Sequence, residues 1–149
     1  EIGVRLVGSE MCIRDRMNAE IGFGRKVLEV FEDNDLSFEH LPSGIDTMSL
    51  VISSAALEGR RDKLMQSVAR AVHPDSVFIE DGLALVAVVG RGMIKAKGTA
   101  ARVCDALARA DVNIRMIDQG SSELNIIVGV DEDEYETAVA AIYGEFVRS

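Results

Sequence analysis

The pattern of hydrophobic and polar positions occurs twice along the chain, with an offset of 76 residues. When residues 17–52 are shifted by that distance without a gap, they fall on residues 93–128, and the apolar positions of the two segments coincide. The identical pairs are Met17 and Met93, Gly22 and Gly98, Val27 and Val103, Asp35 and Asp111, and Gly44 and Gly120. Because the same pattern buries the same faces, we interpret the chain as two copies of one supersecondary unit.

Each copy predicts a helix followed by a hairpin and a second helix. After Gly22 and after Gly98, apolar residues recur at helical spacing. The period then changes to two, as in half-buried strands. The alternating residues are Leu36, Phe38 and His40 in the first copy, and Val112, Ile114 and Met116 in the second. With a strand in front, the order is βαββαβ, so we expect an α+β fold of two ferredoxin-like plaits.

Residues 1–16 do not follow the repeat. Residues 83–89 predict a strand ahead of the second copy, but the alternation is lost in their counterpart, residues 7–13. The run LVGSEMCIRDR also resembles a translated sequencing-adaptor read. We therefore expect residues 1–16 to be a foreign segment, the first module to span residues 17–81 and the second residues 82–149. The counterpart of the strand at residues 77–79 would lie beyond Ser149, so we expect each plait to lack one native strand.

Composition limits the class of partner. The net charge of −9 and the pI near 4.7 repel phosphate backbones and argue against nucleic acid. No apolar run approaches the ~20 residues of a membrane span, so no membrane association is expected. Cys12 and Cys104 lie far apart without metal-ligand spacing, which is typical of free thiols in a cytoplasmic protein.

The segment Gly22-Phe23-Gly24 precedes the first predicted helix, for which Asn18 or Glu20 is the expected cap. It is not a nucleotide fingerprint, because Val27 stands where a third glycine would be and no Lys-Ser/Thr pair follows. Two interpretations remain open. The segment is either a tight turn or a helix N-terminus whose N–H groups receive a small carboxylate.

The first hairpin turn contains polar candidates for a binding site. Pro42 and Gly44 predict the turn itself. His40 lies on an alternating face with apolar neighbours, where a single histidine is usually structural. Glu39 and Asp46 flank the turn, and their carboxylates are either solvated or bind a ligand ammonium group.

Five runs of the sequence resemble the C-terminal regulatory region of bacterial aspartate kinases. They are MNAEIGFGRKVLEVFE, EHLPSGIDTMSLVI, LALVAVVGRGM, NIRMIDQGSSELNIIVGV and AIYGEF. The resemblance extends from Met17 to the C-terminus, and the second and fourth runs are the most specific. It implies tandem ACT domains, each a βαββαβ plait that senses an amino acid. It also implies that the last strand of the second module comes from the segment just before the first.

The resemblance implies a parent enzyme that transfers the γ-phosphate of ATP to the side-chain carboxylate of L-aspartate, with ATP and Mg²⁺, towards lysine, threonine and methionine. The family's kinase domain is absent from this chain, which has no phosphate loop and no nucleophile–base pair. We therefore expect no catalytic residue, metal site or cofactor here. The implied function is feedback inhibition by lysine or threonine, bound between modules of two subunits of a homo-oligomer.

The resemblance also implies the effector-binding residues. Backbone N–H groups of Ile21, Gly22, Phe23 and Gly24 would hold the effector carboxylate. The candidates that the resemblance implies for the ammonium group or side chain are Glu20, His40, Ser43 and Asp46, and the turn itself adds Glu39. In the second copy Arg115 and Ser122 replace Glu39 and Asp46, so we expect weak binding or a scaffold role there. Gln119 and Asn125 are the second-module candidates.

Two alternatives share this fold. One is a free-standing ACT-repeat regulator of a separate enzyme, which has the same site without a kinase domain. The other is a ligand-free ferredoxin-like interaction module, in which residues 39–46 form only a turn.

Overall fold

The structure is a computed structural model, and it describes residues 6–15, 19–93, 95–122 and 125–147. The elements are β1 (Leu6–Arg14), α1 (Phe23–Asp33), β2 (Thr47–Ser53), α2 (Ser54–Leu57), α3 (Arg61–Val72), β3 (Ser76–Val89), α4 (Thr99–Arg109), β4 (Met116–Asp118), β5 (Asn125–Asp131) and α5 (Tyr135–Val147). Short 3-10 turns occupy Arg91–Met93 and Glu132–Glu134. Met17, at the start of the repeat, and Asn18, a candidate cap, lie outside the described residues.

The chain divides into two compact units, and the sequence boundary between residues 81 and 82 falls within β3. The first unit comprises the described residues from 8 to 81, and the second comprises those from 82 to 147 together with Leu6 and Val7. Both have the helix and strand content of a ferredoxin-like plait, so the predicted α+β fold is confirmed. None of the helices in the described ranges is long and apolar enough to cross a bilayer.

Strand β1 belongs to the sheet of the first unit, in the order β2-β1-β3. It pairs antiparallel with β2, so that Met11 lies opposite Leu50 and Ile13 opposite Met48. Met11 and Ile13 are both fully buried. The first unit therefore has a strand where we expected one to be missing, while the foreign origin of residues 1–16 stays a prediction.

The polar residue Ser9 explains why β1 was not predicted as a core strand. Its side chain is fully buried, and its hydroxyl donates a hydrogen bond of 2.6 Å to Asp81 Oδ1. Arg61 also donates to this carboxylate. The Arg61 hydrogen bond, and then that of Ser9, lower the pKa of Asp81. Burial of a polar group needs such a partner, and a partner 72 residues away cannot be read from local alternation.

The alternating run at residues 36–40 forms only isolated bridges. His40 pairs with Val51 and Ser43 with Met48, while the carbonyl of Pro42 accepts a 2.9 Å hydrogen bond from Ser49 N. A proline has no N–H to donate, so it interrupts a ladder at this point. The predicted strand is thus reduced to an irregular edge beside β2.

The sheet of the second unit has the order β3-β5-β4. The second part of β3 pairs antiparallel with β5, from Leu83 opposite Asp131 to Val89 opposite Asn125. Strand β4, at the edge of this sheet, is shorter than the strand predicted there and begins only at Met116. The core combines buried residues of β3, β5, α4 and α5, namely Ala84, Val86, Val88, Val103, Leu107, Ile126, Val128, Val130, Ala138 and Ile142.

Candidate functional site

A cavity of about 450 Å³ lies in the first unit, where the N-terminus of α1 faces the hairpin; we call it cavity A. Its lining residues are Glu20, Gly22, Phe23, Gly24, Leu28, Leu41, Ser43 and Met48. Five of these were predicted as effector-binding residues. The other three, Leu28, Leu41 and Met48, belong to the apolar pattern of the repeat and were not predicted to line a binding site. Their positions near the helix start and the hairpin turn could have indicated this.

The backbone at Gly22 shapes one wall of cavity A. Gly22 is the N-cap of α1, with φ 84° and ψ 10°, and no side chain caps this helix. The expected side-chain cap by Glu20 is therefore wrong; its carbonyl instead accepts a 3.4 Å hydrogen bond from Phe23 N. The first N–H groups of a helix lack intrahelical acceptors, and they carry about half a positive charge. The helix N-terminus at Gly24 thus suits a small carboxylate.

The carboxylate of Glu20 lines the same cavity and pairs with the ammonium group of Lys26. Each side chain of this pair is about one-third exposed. Solvent screens the attraction within such a pair, so a ligand ammonium group can compete with Lys26 for Glu20.

Four predicted residues do not line cavity A. The Ile21 side chain is fully exposed, and Glu39 is exposed while its N–H donates to Val51 O at 2.8 Å. His40 is half-buried beside β2. Asp46 is exposed, and its carbonyl accepts a 3.1 Å hydrogen bond from Asp15 N. The structure thus brings Glu20 and Ser43, rather than Glu39 and Asp46, next to the helix N-terminus.

A second cavity, cavity B, has a volume of about 430 Å³ and lies in the second unit, where Ala96 and Gln119 correspond to Glu20 and Ser43 of cavity A. Its lining residues are Met93, Lys95, Ala96, Lys97, Gln119, Gly120 and Ser121. Of the two second-module candidates, Gln119 lines cavity B, whereas Asn125 lies in β5. Arg115 donates to Asp131 Oδ1 at 3.1 Å and to Gly82 O at 3.2 Å, so its guanidinium stabilises the sheet edge.

A third cavity, cavity C, was not predicted from the sequence. It has a volume of about 470 Å³ and is largely apolar; its lining residues are Val88, Val89, Gly90, Gly92, Met93, Ala96, Thr99, Arg102, Tyr143, Phe146 and Val147. Small residues open this space: Gly90 and Ala96 stand where the first copy has Arg14 and Glu20. A residue-by-residue comparison of the two copies could have indicated cavity C.

Arg102 closes one side of cavity C. Its guanidinium carbon lies 4.4 Å from the centroid of the Phe146 ring, and its Nε donates to Glu145 Oε1 at 2.9 Å. Arg109 donates to the other oxygen of Glu145 at 2.8 Å. These two hydrogen bonds, first that of Arg102 and then that of Arg109, lower the pKa of Glu145. The arrangement ties α4 to α5.

The described residues include no cluster of three or more His, Cys, Asp or Glu side chains that could hold a metal ion. Polar and charged groups line cavities A and B, and cavity C is an apolar space; these arrangements suit the binding of a ligand.

Comparisons with known proteins show which proteins this chain resembles. A family model described as "ACT domain" matches residues 86–146. Aspartokinase 3 of Bacillus subtilis (strain 168) is 44% identical over 131 residues, which are 87% of this chain and 29% of that protein. This chain thus spans less than a third of the length of that relative.

Two of the solved structures that resemble this one are aspartate kinases. The crystal structure of Clostridium acetobutylicum aspartate kinase is 46% identical, with a TM-score of 0.92, over 97% of this chain and 34% of that one. E. coli aspartokinase III, solved in complex with lysine and aspartate, is 24% identical, with a TM-score of 0.74, over 96% of this chain and 32% of that one. At that identity the second likeness shows the fold alone.

Proposed function

This chain belongs to the aspartate kinase family as an ACT-domain regulatory region, and on that premise we propose that it senses an amino acid through cavity A. One observation carries the proposal: the N-terminus of α1 and the Glu20 carboxylate line the same cavity. An amino acid has one carboxylate and one ammonium group, and the cavity offers a partner of opposite charge for each.

The apolar part of cavity A accounts for the rest of the ligand. Leu28, Leu41 and Met48 line it, and they would contact the methylene or methyl groups of an effector side chain. Ser43 adds a hydroxyl that donates and accepts hydrogen bonds. Lysine and threonine are the effectors that we propose, and E. coli aspartokinase III has been solved with lysine. Either ammonium group of lysine would compete with Lys26 for Glu20.

The effector would regulate a kinase activity that lies outside this chain. We propose that the parent protein transfers the γ-phosphate of ATP to the side-chain carboxylate of L-aspartate, with ATP and Mg²⁺ bound by its kinase domain. Effector binding would then shift the enzyme between two states, because a ligand regulates only through its different affinity for them. Lysine and threonine biosynthesis would be under this control, in the cytoplasm.

A second copy of the chain would complete the site. Ile21 is fully exposed beside cavity A, and Ile45 is three-quarters exposed in the adjacent hairpin. Exposed apolar side chains that cluster at a rim mark interaction surfaces. We therefore propose a homo-oligomer in which the partner covers this rim.

Calorimetric titration of the protein with lysine and with threonine tests the proposal. Glu20→Gln keeps the size of the side chain and removes its charge, so it should weaken effector binding about tenfold, which corresponds to about 1.4 kcal/mol. Glu32→Gln, an exposed residue at the end of α1, is the matched control and should bind as the wild type does. If Asp46→Ala weakens binding tenfold and Glu20→Gln does not, the ammonium partner is Asp46. Absence of heat with every amino acid would favour the ligand-free module.

A further inference from the structure

Lys26 holds the carboxylate that cavity A would offer to an effector. Glu20 is the acidic residue among the described lining of this cavity, and Lys26 is not part of that lining. The ammonium group of Lys26 pairs with the Glu20 carboxylate, and each side chain is 35% exposed. The group that we propose for the effector ammonium is therefore already paired with a cation of the chain itself.

The backbone at Gly22 makes this pair possible. Side chains that meet along a regular helix are three or four residues apart, whereas Glu20 and Lys26 are six apart. Gly22 begins α1 with φ 84°, and its carbonyl accepts the 3.0 Å hydrogen bond from Lys26 N. The turn at Gly22 brings Glu20 back beside the start of the helix, within reach of Lys26.

A neighbouring ion pair on the same helix provides a contrast. Arg25 donates to Glu29 at 2.9 Å across one helical turn, and these side chains are 68% and 55% exposed. Solvent screens such a pair strongly. The pair of Lys26 with Glu20 is less exposed, so its charges act more strongly on each other and on a charged group that enters cavity A.

The second copy shows where a cation at this helical position turns when no carboxylate precedes the helix cap. At the offset of 76 residues, Ala96 replaces Glu20 and Arg102 replaces Lys26. Arg102 donates instead to Glu145 Oε1 in α5, at 2.9 Å. The direction of the Lys26 side chain therefore depends on Glu20, and another cation bound to Glu20 would change it.

We infer that Lys26 is an internal competitor that sets the affinity and the selectivity of cavity A. An effector ammonium group has to displace Lys26 from Glu20, which weakens the binding of every amino acid. The displaced ammonium group stays on the same helix, where it repels cations. Lysine brings two ammonium groups and threonine one, so Lys26 weakens the binding of lysine more. The inference rests on the proposed sensor function, and it adds the residue that discriminates among effectors.

Calorimetric titrations with threonine and with lysine test this role. Lys26→Met removes the ammonium group and keeps most of the side-chain length. It should bind threonine about threefold more tightly, on the scale of a partly exposed ion pair, and it should gain more than that for lysine. Lys26→Arg keeps the charge and should keep the wild-type ratio of the two affinities. Arg25→Met, at the preceding residue of α1, is the matched control and should change neither affinity.

A double variant shows whether Lys26 acts through Glu20. In the Glu20→Gln background, Lys26→Met should no longer strengthen binding, because no carboxylate is left to compete for. The inference is overturned if lysine gains no more than threonine does, or if Lys26→Met binds both as the wild type does. Weaker binding to Lys26→Met would also overturn it, since Lys26 would then hold the effector carboxylate.

The same titrations separate this inference from the sensor function on which it rests. If Glu20→Gln weakens binding while Lys26→Met changes nothing, cavity A is a sensor site in which Lys26 does not compete. If neither amino acid binds to the wild type or to any variant, the sensor function and the inference both fail.

Discussion

Asp35 and Asp111 have the same left-handed backbone conformation, with φ of 53° and 56°. Each lies in the turn after the first helix of its copy, α1 or α4. The next residue closes the turn: Leu36 N donates to Phe31 O at 2.9 Å, and Val112 N donates to Leu107 O at 3.0 Å. The pair shows that the repeat extends to individual backbone dihedral angles.

This conformation makes a prediction about stability. Asp111→Gly should raise the free energy of unfolding by about 0.5–1 kcal/mol, because glycine adopts positive φ without a steric cost. Asp111→Val should lower it by about 1–2 kcal/mol, since a β-branched residue is strained there. Urea unfolding of both variants measures the sign of each change in the free energy of unfolding. Equal effects of Gly and Val would show that the turn relaxes to negative φ.

The second prediction concerns the buried face of β1. Met11→Ala and Ile13→Ala should each destabilise the protein by about 2–4 kcal/mol, because each leaves a cavity in a packed core. Arg14→Ala, at an exposed position of the same strand, should change the free energy of unfolding by less than about 0.5 kcal/mol. If all three variants unfold at the wild-type urea concentration, residues 6–14 do not contribute to the core, and they would be the foreign segment that the sequence suggests.

The two helix N-caps allow a matched comparison. Gly22→Ala and Gly98→Ala should each cost about 1–2 kcal/mol of stability, because both positions have positive φ. Only Gly22→Ala should also weaken binding of lysine or threonine, since Gly22 lines cavity A. Thermal unfolding and calorimetric titration separate the two effects. Equal losses of effector affinity in both variants would place the site elsewhere than at cavity A.

The carboxylate of Asp81 predicts a pH dependence. The hydrogen bonds from Arg61 and Ser9 lower the pKa of Asp81 below its usual value of 3.8, so the folded state stabilises the charged form. This contribution is complete above pH 3.8, and it is lost as the pH falls through the lower pKa of the folded state.

Asp81→Asn should therefore be less stable than the wild type at pH 7, and the difference should vanish at strongly acidic pH. The effect should be small, because the Asp81 side chain is 61% exposed. Asp75→Asn, an exposed residue of the turn before β3, is the control. A difference between Asp81→Asn and the wild type that does not change with pH would contradict the role of the charge.

The fold was largely predictable because its signals are local. The helical spacing after Gly22 and Gly98 and the alternation that follows depend only on neighbouring residues, and α1 and α4 begin one residue after these glycines. β1 was missed because Ser9 interrupts its apolar face. Burial of Ser9 depends on Asp81, and contacts over such a separation leave no periodic trace.

The candidate site was predictable only in part. Glu20 and Ser43 were proposed from the family resemblance, and Gly22 also from its position at a helix start. The ion pair of Glu20 with Lys26 depends on the rotamers of two long side chains. Cavity C depends on how α5 packs beside the glycines after β3, and neither feature follows from spacing.

The glycine N-caps of α1 and α4 have an evolutionary consequence. At a helix start capped by glycine, the groups that attract an anion are main-chain N–H groups, and only a mutation to proline removes one of them. Genetic drift can therefore alter the surrounding residues while that attraction persists in each duplicate. Two copies that began alike can diverge in the chemistry they recognise through a few codon changes, such as those separating Glu20 from Ala96 and Ile21 from Lys97. Duplication thus gives such a chain a route to a new specificity without the loss of the original one.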